Sequence, residues 1–216
     1  MFSIITGTLN RVKTLPKLIK NTVDSFSKME LIILDGGSTD GSVEYLKNLK
    51  NSKIKLIEIG HRSSWPSFMN MGIEAAKYDW ILQWNDDVLL RNTWEDVENI
   101  IDNHKAYAFS WNRCNDPGNC LTPNCINFGM VHRSLFEEFG MYDPTIRFYG
   151  GDWDFTQRLK AFNQKIKLCE GIWVEEIISH QNPDNWTGQD DKIGFSNIKL
   201  YKQGIIPERI PKLRRI

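Results

Sequence analysis

The chain is 216 residues long, with 27 basic and 27 acidic side chains and a formal net charge of zero. That balance excludes a protein built around nucleic-acid phosphates, which carries a basic excess, and no apolar run reaches the roughly 20 residues of a membrane-spanning helix. The length suits one domain around one large core.

The elements alternate through the first half. "FSIITGTL" at Phe2–Leu9 is short, β-branched and apolar, and reads as a strand. Leu15, Leu18, Ile19, Val23 and Phe26 recur at helical spacing between Asn10 and Lys28. "MELIILDGG" at Met29–Gly37 is a second buried strand, and Ser38, Thr39 and Asp40 offer cap oxygens to a helix over "SVEYLKNLK". "IKLIEIG", "PSFMNMGIEAAKY" and "DWILQW" continue as strand, helix and strand. Such β-α repeats with apolar strands predict an α/β fold with a mostly parallel sheet covered on both faces. The second half is less regular. Trp94–His104 reads as helix and Tyr107–Trp111 as a short strand. Asn112–Asn124, with two prolines, reads as a loop, and "NFGMVHRSLFEEFG" as strand then helix, ending at Gly140. "GGDWDFTQRLKAF" is an amphipathic helix whose first turn carries Asp152 and Asp154, where the helix dipole favours negative charge. "KIKLCEGIWVEEIISH" is strand-like, and the polar stretch from Gln181 reads as loop-rich.

Three strands end in polar or glycine-rich signals: Thr6-Gly7-Thr8, Asp35-Gly36-Gly37-Ser38 and Asn85-Asp86-Asp87. Ligands of parallel sheets bind beyond the carboxyl ends of the strands. Asn and Asp also suit a plain turn, but two adjacent carboxylates at a strand end fit a hard cation, which takes oxygen ligands. Cys114, Cys120 and Cys125 are separated by five and four residues, unlike a zinc knuckle, and are expected to be neither zinc-bound nor disulfide-linked. Lys212-Leu213-Arg214-Arg215 is a basic stretch read as a solvated tail, with peripheral contact to a membrane surface or a partner as the other reading. Met1 runs directly into a strand with no signal-peptide layout, so the expectation is a cytoplasmic protein, standing alone or as one domain of a larger enzyme.

Four of these segments together resemble the family-2 glycosyltransferases of the GT-A (nucleotide-diphospho-sugar transferase) fold. "SIITGTLNR" at Ser3–Arg11 looks like that family's opening strand and nucleotide loop, and "ELIILDGGSTDGS" at Glu30–Ser42 its second-strand signature. "NMGIEAAKYDWILQWNDD" at Asn70–Asp87 looks like the approach to its metal-binding acidic motif, and "FYGGDWDFTQRL" at Phe148–Leu159 its acceptor-side motif. Order and spacing match over roughly residues 3–160, and more loosely beyond. The resemblance implies a single GT-A domain over 1–216, a mixed, mostly parallel sheet flanked by helices, with a nucleotide-sugar-binding half over about 1–105 and an acceptor half over about 106–216.

It further implies an inverting, metal-dependent transfer of a hexose from a UDP-sugar donor to a glycan, glycoconjugate or other hydroxyl acceptor. Mn²⁺ or Mg²⁺ would offset the charge of the departing diphosphate. Asp86 matches the principal metal ligand, with Asp87 beside it and His180 as a third candidate, while Trp84 stands where many members carry an earlier Asp. Asp35 resembles the reader of the nucleobase; a carboxylate accepts the N3–H that uracil has and cytosine lacks. Thr6, Gly7, Thr8, Asn10, Arg11, Gly36, Arg62 and Asn85 complete the expected nucleotide site, with Leu9 where an aromatic often stacks. Asp152 matches the catalytic base, Asp154 is the fallback, and Gly151 replaces a common Glu. Trp153 and Trp186 are the candidate acceptor platforms, and Trp80, Trp84 and Trp173 are expected to pack the core. A sugar-phosphate nucleotidyltransferase would need a longer glycine-rich loop than "TGTLNR", and a non-catalytic glycan- or nucleotide-sugar-binding module would keep Asp35 without needing Asp152. A dehydrogenase is excluded by the lack of GxGxxG after the first strand.

Overall fold

The structure, a computed structural model, describes residues 1–113, 116–121, 125–147, 150–178 and 189–214. Four parallel strands carry the first half in the order β3-β2-β1-β4. They are β1 (Phe2–Thr8), β2 (Met29–Asp35), β3 (Ile54–Glu58) and β4 (Trp80–Gln83). Every residue of β2 is buried, as expected of a strand covered on both faces. The crossovers hold α1 (Leu15–Asn21), α2 (Ser42–Asn48) and α3 (Trp65–Ala75). Pro16 sits in the first turn of α1, where no backbone N–H is needed, and the helix ends at Asn21, before the Val23 and Phe26 of the apolar spacing.

The sheet continues through the second half as β4-β8-β6-β9-β5, giving a mixed nine-stranded sheet once β7 is added beside β6. The elements are β5 (Val88–Leu90), α4 (Trp94–Asn99), β6 (Ala106–Arg113), β7 (Asp116–Leu121), β8 (Gly129–His132), α5 (Arg133–Phe139), α6 (Gly151–Ala161), β9 (Lys167–Glu176) and α7 (Gln189–Tyr201). β8 runs antiparallel to β4 and β6, and β5 antiparallel to β9. A Cβ on Gly129 would lie 2.0 Å from the Tyr107 carbonyl oxygen, so only glycine allows β8 to approach β6 this closely.

Three expectations change. α4 ends at Asn99 rather than His104, closed at its start by a reciprocal cap between Thr93 and Asp96. Asn112–Asn124 is not simply a loop, because β6 runs on to Arg113 and pairs antiparallel with β7, which contains Pro117. β7 has β6 as its partner and stands at an edge, where a proline removes no needed ladder bond. The stretch after Gln181 is not loop throughout, since residues 189–201 form α7. The core lies on both faces of the sheet. One cluster joins Phe2, Leu18, Leu31, Trp84, Trp94 and Phe109, and the other joins Ile5, Ile32, Met69, Phe136, Tyr142 and Phe155. Trp84 is therefore a core residue, as read from the sequence; its indole donates to the Val88 carbonyl at 3.2 Å.

A buried polar cluster seats α6. Arg158 is fully enclosed. Its Nη1 donates to the carbonyls of Phe139, Gly140 and Met141 at 3.0, 3.0 and 2.7 Å, closing the C-terminus of α5. Its Nη2 donates to Asp154 at 2.9 Å, and Asp154 also accepts from Tyr201 and Asn197 of α7. Arg209 pairs with Asp143, which in turn accepts from Asn197. Removing Asp154 leaves a buried guanidinium uncompensated. Asp154→Ala is therefore expected to lower unfolding free energy by about 3–5 kcal/mol in urea titration; a loss below about 1 kcal/mol would show that the cluster does not seat the helix.

Candidate active site

The carboxyl ends of β1, β2 and β4 open onto a cleft of about 820 Å³. The register places Thr8 beside Asp35 and Ile5 beside Gln83, so the segment after β4 folds back over the end of β1. There the Thr8 hydroxyl donates to Asp86 Oδ2 at 2.8 Å, and Arg11 Nε lies 3.6 Å from Asp86 Oδ1. Burial pushes Asp86 up to about 6, against the pull of the Thr8 hydroxyl and the Arg11 guanidinium.

The loops after β1 and β2 are tied to each other by side chains. Asn10 N–H donates to Ser38 Oγ at 2.8 Å and Thr39 N–H to Asn10 Oδ1 at 2.8 Å. Arg11 N–H donates to Ser42 Oγ, and Val12 N–H to Asp40 Oδ2, both at 3.0 Å. Asn10 adopts a left-handed backbone with φ of 56°, which asparagine tolerates. Asp35 is enclosed; its Oδ2 accepts the N–H groups of Gly37 and Ser38 at 2.8 and 2.9 Å, while Oδ1 has no hydrogen-bond partner among the described residues. A Cβ on Gly36 would meet nothing closer than 3.5 Å, so the missing second acid of the common motif is not a matter of space.

Gly7, Thr8, Leu9, Arg11, Gly36, Arg62 and Asp86 line the cleft together with Trp65, Phe68, Pro144 and Arg147. Sequence reading missed this last group. Trp65 and Phe68 look like core residues of an amphipathic helix, and Pro144 and Arg147 sit between recognisable motifs. Thr6 is buried in β1 behind the cleft, with its hydroxyl 3.2 Å from the Gly7 carbonyl. Asn85 is exposed at the turn, and Asp87 is 2 % exposed, turned inward from the cleft. His180 and Trp186, the proposed third ligand and acceptor platform, lie outside the described residues, as do Cys114 and the Cys120 side chain.

Asp152 is not among the residues lining the cleft; it sits in the first turn of α6, next to Gly151, which packs against Trp65 of the cleft. Burial raises its carboxyl above the ordinary carboxylate range, against the backbone N–H groups of Trp153 and Asp152 itself and the Cys125 thiol, which pull it down. The helix N-terminus pulls the other way, and desolvation outweighs it. Asp154, the fallback base of the sequence reading, is placed differently. It points into the core, 0 % exposed, and is held by Arg158. Trp153 turns away from the cleft, packing on Gly194 and edge-on to Phe195 of α7 with ring centroids 5.6 Å apart. Cys125 is a free, buried thiol, 3.1 Å from Asn127 Oδ1 and 3.8 Å from Asp152 Oδ2. Among the described residues no cluster of three or more His, Cys, Asp or Glu side chains is positioned to hold a metal by itself, and no helix is long and apolar enough to cross a membrane.

A sequence model described as Glycosyl transferase family 2 matches residues 3–208. An uncharacterized glycosyltransferase of Haemophilus influenzae (strain ATCC 51907 / DSM 11121 / KW20 / Rd) is 33% identical over 70 residues, 32% of this chain and 28% of that protein. A PGL/p-HBAD biosynthesis glycosyltransferase of Mycobacterium bovis (strain BCG / Pasteur 1173P2) is 28% identical over 178 residues, 73% of this chain and 69% of that protein. Among solved structures, S. aureus TarS superposes with a TM-score of 0.75 at 16% identity, over 96% of this chain and 40% of that one; its 1–349 fragment has also been solved with UDP. A mannosyltransferase of Pyrobaculum calidifontis, solved with GDP-Man and Mn2+, superposes with a TM-score of 0.69 at 14% identity, over 94% of this chain and 63% of that one. The matched region thus covers 28% of the Haemophilus protein and 40% of TarS, well short of either whole protein. The structural likeness is one of fold.

The buried thiols give a direct check of the site's interior. Burial pushes Cys125 up to about 12 and Cys169 up to about 11, so both stay protonated and poorly nucleophilic near neutrality. Peptide-resolved iodoacetamide labelling of the native protein at pH 7.5 is expected to leave both unmodified, and to modify both after denaturation. Rapid native labelling of Cys125 would contradict the packing beside Asp152.

Proposed function

The chain belongs to glycosyl transferase family 2, and from that premise we propose that it transfers a hexose from a UDP-sugar to a hydroxyl acceptor, with Asp152 as general base and Asp86 as ligand to a divalent cation. The observation that carries the reading is the charge pattern of the cleft: one carboxylate, Asp86, faces the guanidinium-bearing residues Arg11, Arg62 and Arg147. A diphosphate wants that pattern, since guanidinium groups pair with its oxygens and a cation-rich cleft concentrates anions.

The donor nucleoside follows from Asp35. Two backbone N–H groups hold one carboxylate oxygen, and the other is left as an acceptor beside Leu34 and Gly36, both of which line the cleft. The N3–H of uracil satisfies an acceptor at that place. The donor set for a cation is oxygen throughout, with Asp86 lying against the Thr8 hydroxyl. Mg²⁺ and its like are commonly held by one or two carboxylates with substrate phosphates completing the shell, so the residues fit such an ion although no three-carboxylate cage surrounds it. When bound, the ion offsets the negative charge that grows on the departing diphosphate. Arg11, 3.6 Å from Asp86, is placed to pair with the same phosphates.

The reaction is a single displacement. Asp152 takes the proton of the acceptor hydroxyl as its oxygen bonds to the anomeric carbon; the bond from that carbon to the diphosphate oxygen breaks, and UDP leaves with the electron pair. A carboxylate whose pKa burial has raised is a stronger base than an exposed one, and it works only above that raised pKa. The acceptor is a glycan or another hydroxyl-bearing molecule.

Calorimetric titration with UDP is expected to show Mn²⁺-dependent binding in wild type that Asp86→Asn largely loses. A panel of UDP-, GDP- and CDP-sugars separates the donors, since a true donor at ~100 times its dissociation constant raises stability by roughly 2.7 kcal/mol. Stabilisation by GDP- rather than UDP-sugars would overturn the assignment of Asp35. Asp152→Asn is expected to keep UDP affinity while transfer falls by about 10²–10⁴. In wild type, kcat/KM should rise with pH along an acidic limb displaced above the ordinary carboxylate pKa of about 4. A limb at the ordinary position, or an active Asp152→Asn, counts against the base.

A further inference from the structure

Trp65 is used by nothing in the mechanism so far, yet it lines the cleft and is partly exposed there. Its ring is fixed from behind. Tyr142 meets it edge-on with centroids 4.7 Å apart at 68°, and Phe68 does so at 6.3 Å and 70°. Tyr142 is itself immobilised, because its backbone N–H donates to Asn70 Oδ1 and its carbonyl accepts from Asn70 Nδ2, both at 2.9 Å, and its hydroxyl donates to Gln83. On the other side, a Cβ on Gly151 would lie 3.2 Å from the indole and 3.1 Å from Pro66. The room that a side chain at position 151 would need is filled by Trp65, and the next residue along is Asp152.

We propose that Trp65 is a specificity-determining residue that stacks its indole against the apolar face of the donor's sugar ring; this rests on the UDP-sugar reading above. The sugar of such a donor lies between the diphosphate, at Asp86 and Arg11, and the acceptor oxygen, at Asp152. Trp65 lines the same cleft as Asp86 and Arg11 and packs against the residue before the base. A pyranose carries rows of C–H groups on its faces, and an aromatic ring attracts their partial positive charge while removing their surface from water. A Glu at position 151 would have offered a hydrogen-bonding acid here; this chain offers a rigid π-face instead. The ligand class is a hexopyranose with an uninterrupted C–H face, held by stacking rather than by a carboxylate.

The test compares dissociation constants for UDP alone with those for UDP-glucose, UDP-galactose and UDP-N-acetylglucosamine, all with Mn²⁺, on wild type and on Trp65→Ala, Trp65→Leu and Trp65→Phe. UDP affinity is expected to stay within about twofold in every variant, which also reports that the cleft is folded. Affinity for the UDP-sugar that wild type binds best is expected to fall about five- to tenfold in Trp65→Ala and Trp65→Leu, the worth of one aromatic contact, and less in Trp65→Phe. Trp65→Leu keeps apolar bulk without a π-face, so it separates stacking from packing if the alanine variant fails to fold. UDP-sugar affinities that track UDP in all variants, or equal losses in leucine and phenylalanine variants, would overturn the inference. Failure of wild type to bind UDP would instead overturn the donor reading on which it rests.

Discussion

A single hydrogen bond, from the Thr8 hydroxyl to Asp86, ties together residues 78 positions apart and holds the turn after β4 at the mouth of the cleft. It exists because β1 and β4 are parallel neighbours in a set register, so that the turn after β4 arrives over the end of β1. The same parallel pairing brings Asp35 level with Thr8. The loops that follow β1 and β2 then satisfy each other's backbone N–H groups with Ser38, Ser42, Asp40 and Asn10 oxygens. Loops at a ligand site that leave few backbone donors unpaired need little ordering when a ligand arrives. The cleft is therefore largely built without any ligand in it.

The two carboxylates of α6 show how one helix divides two duties. Asp152 and Asp154 are two residues apart, which at 3.6 residues per turn puts them on opposing sides. Asp154 faces inward to a guanidinium, a phenol and an amide. Among the described residues Asp152 has a distant thiol and the backbone of its own helix turn as partners, so burial dominates its charge. A carboxylate paired with a guanidinium holds its proton weakly, while a desolvated one without such a partner holds it more tightly and contributes less to seating the helix. The two properties are kept apart by about half a helical turn.

How far the sequence could be read follows from the same physics. The parallel half is legible because its strands are unbroken apolar runs ending in glycine and acid signals, and each signal marks a strand end in the structure. Helix α7 is not legible by hydrophobic spacing. Its buried positions, Asp190, Gly194, Asn197 and Tyr201, recur at helical intervals but are polar or small, because they face a polar cluster rather than an oily core. β7 is hidden by a proline and a glycine that an edge strand tolerates. Asp154 and Asp152 look interchangeable in the string "GGDWDF", and only the partners on α7 and at the end of α5 separate them. Trp65 was invisible as a cleft residue, since nothing local distinguishes an aromatic that packs inward from one that stops at the surface.

The polar cluster beneath α6 has a consequence for the order in which the chain becomes competent. Tyr201, Asn197 and Arg209 come late in the sequence, yet they complete the charge environment of Asp154 and Asp143, and through it the seating of the helix that carries Asp152. The strands that end at Thr8, Asp35 and Gln83 are all made within the first hundred residues and pair with one another. During vectorial synthesis the parallel half of the sheet can thus assemble while the ribosome is still working. The helix that carries Asp152 is seated only once residues up to about Arg209 have emerged. A nascent chain has the strand ends that form the cleft long before α6 is fixed beside them.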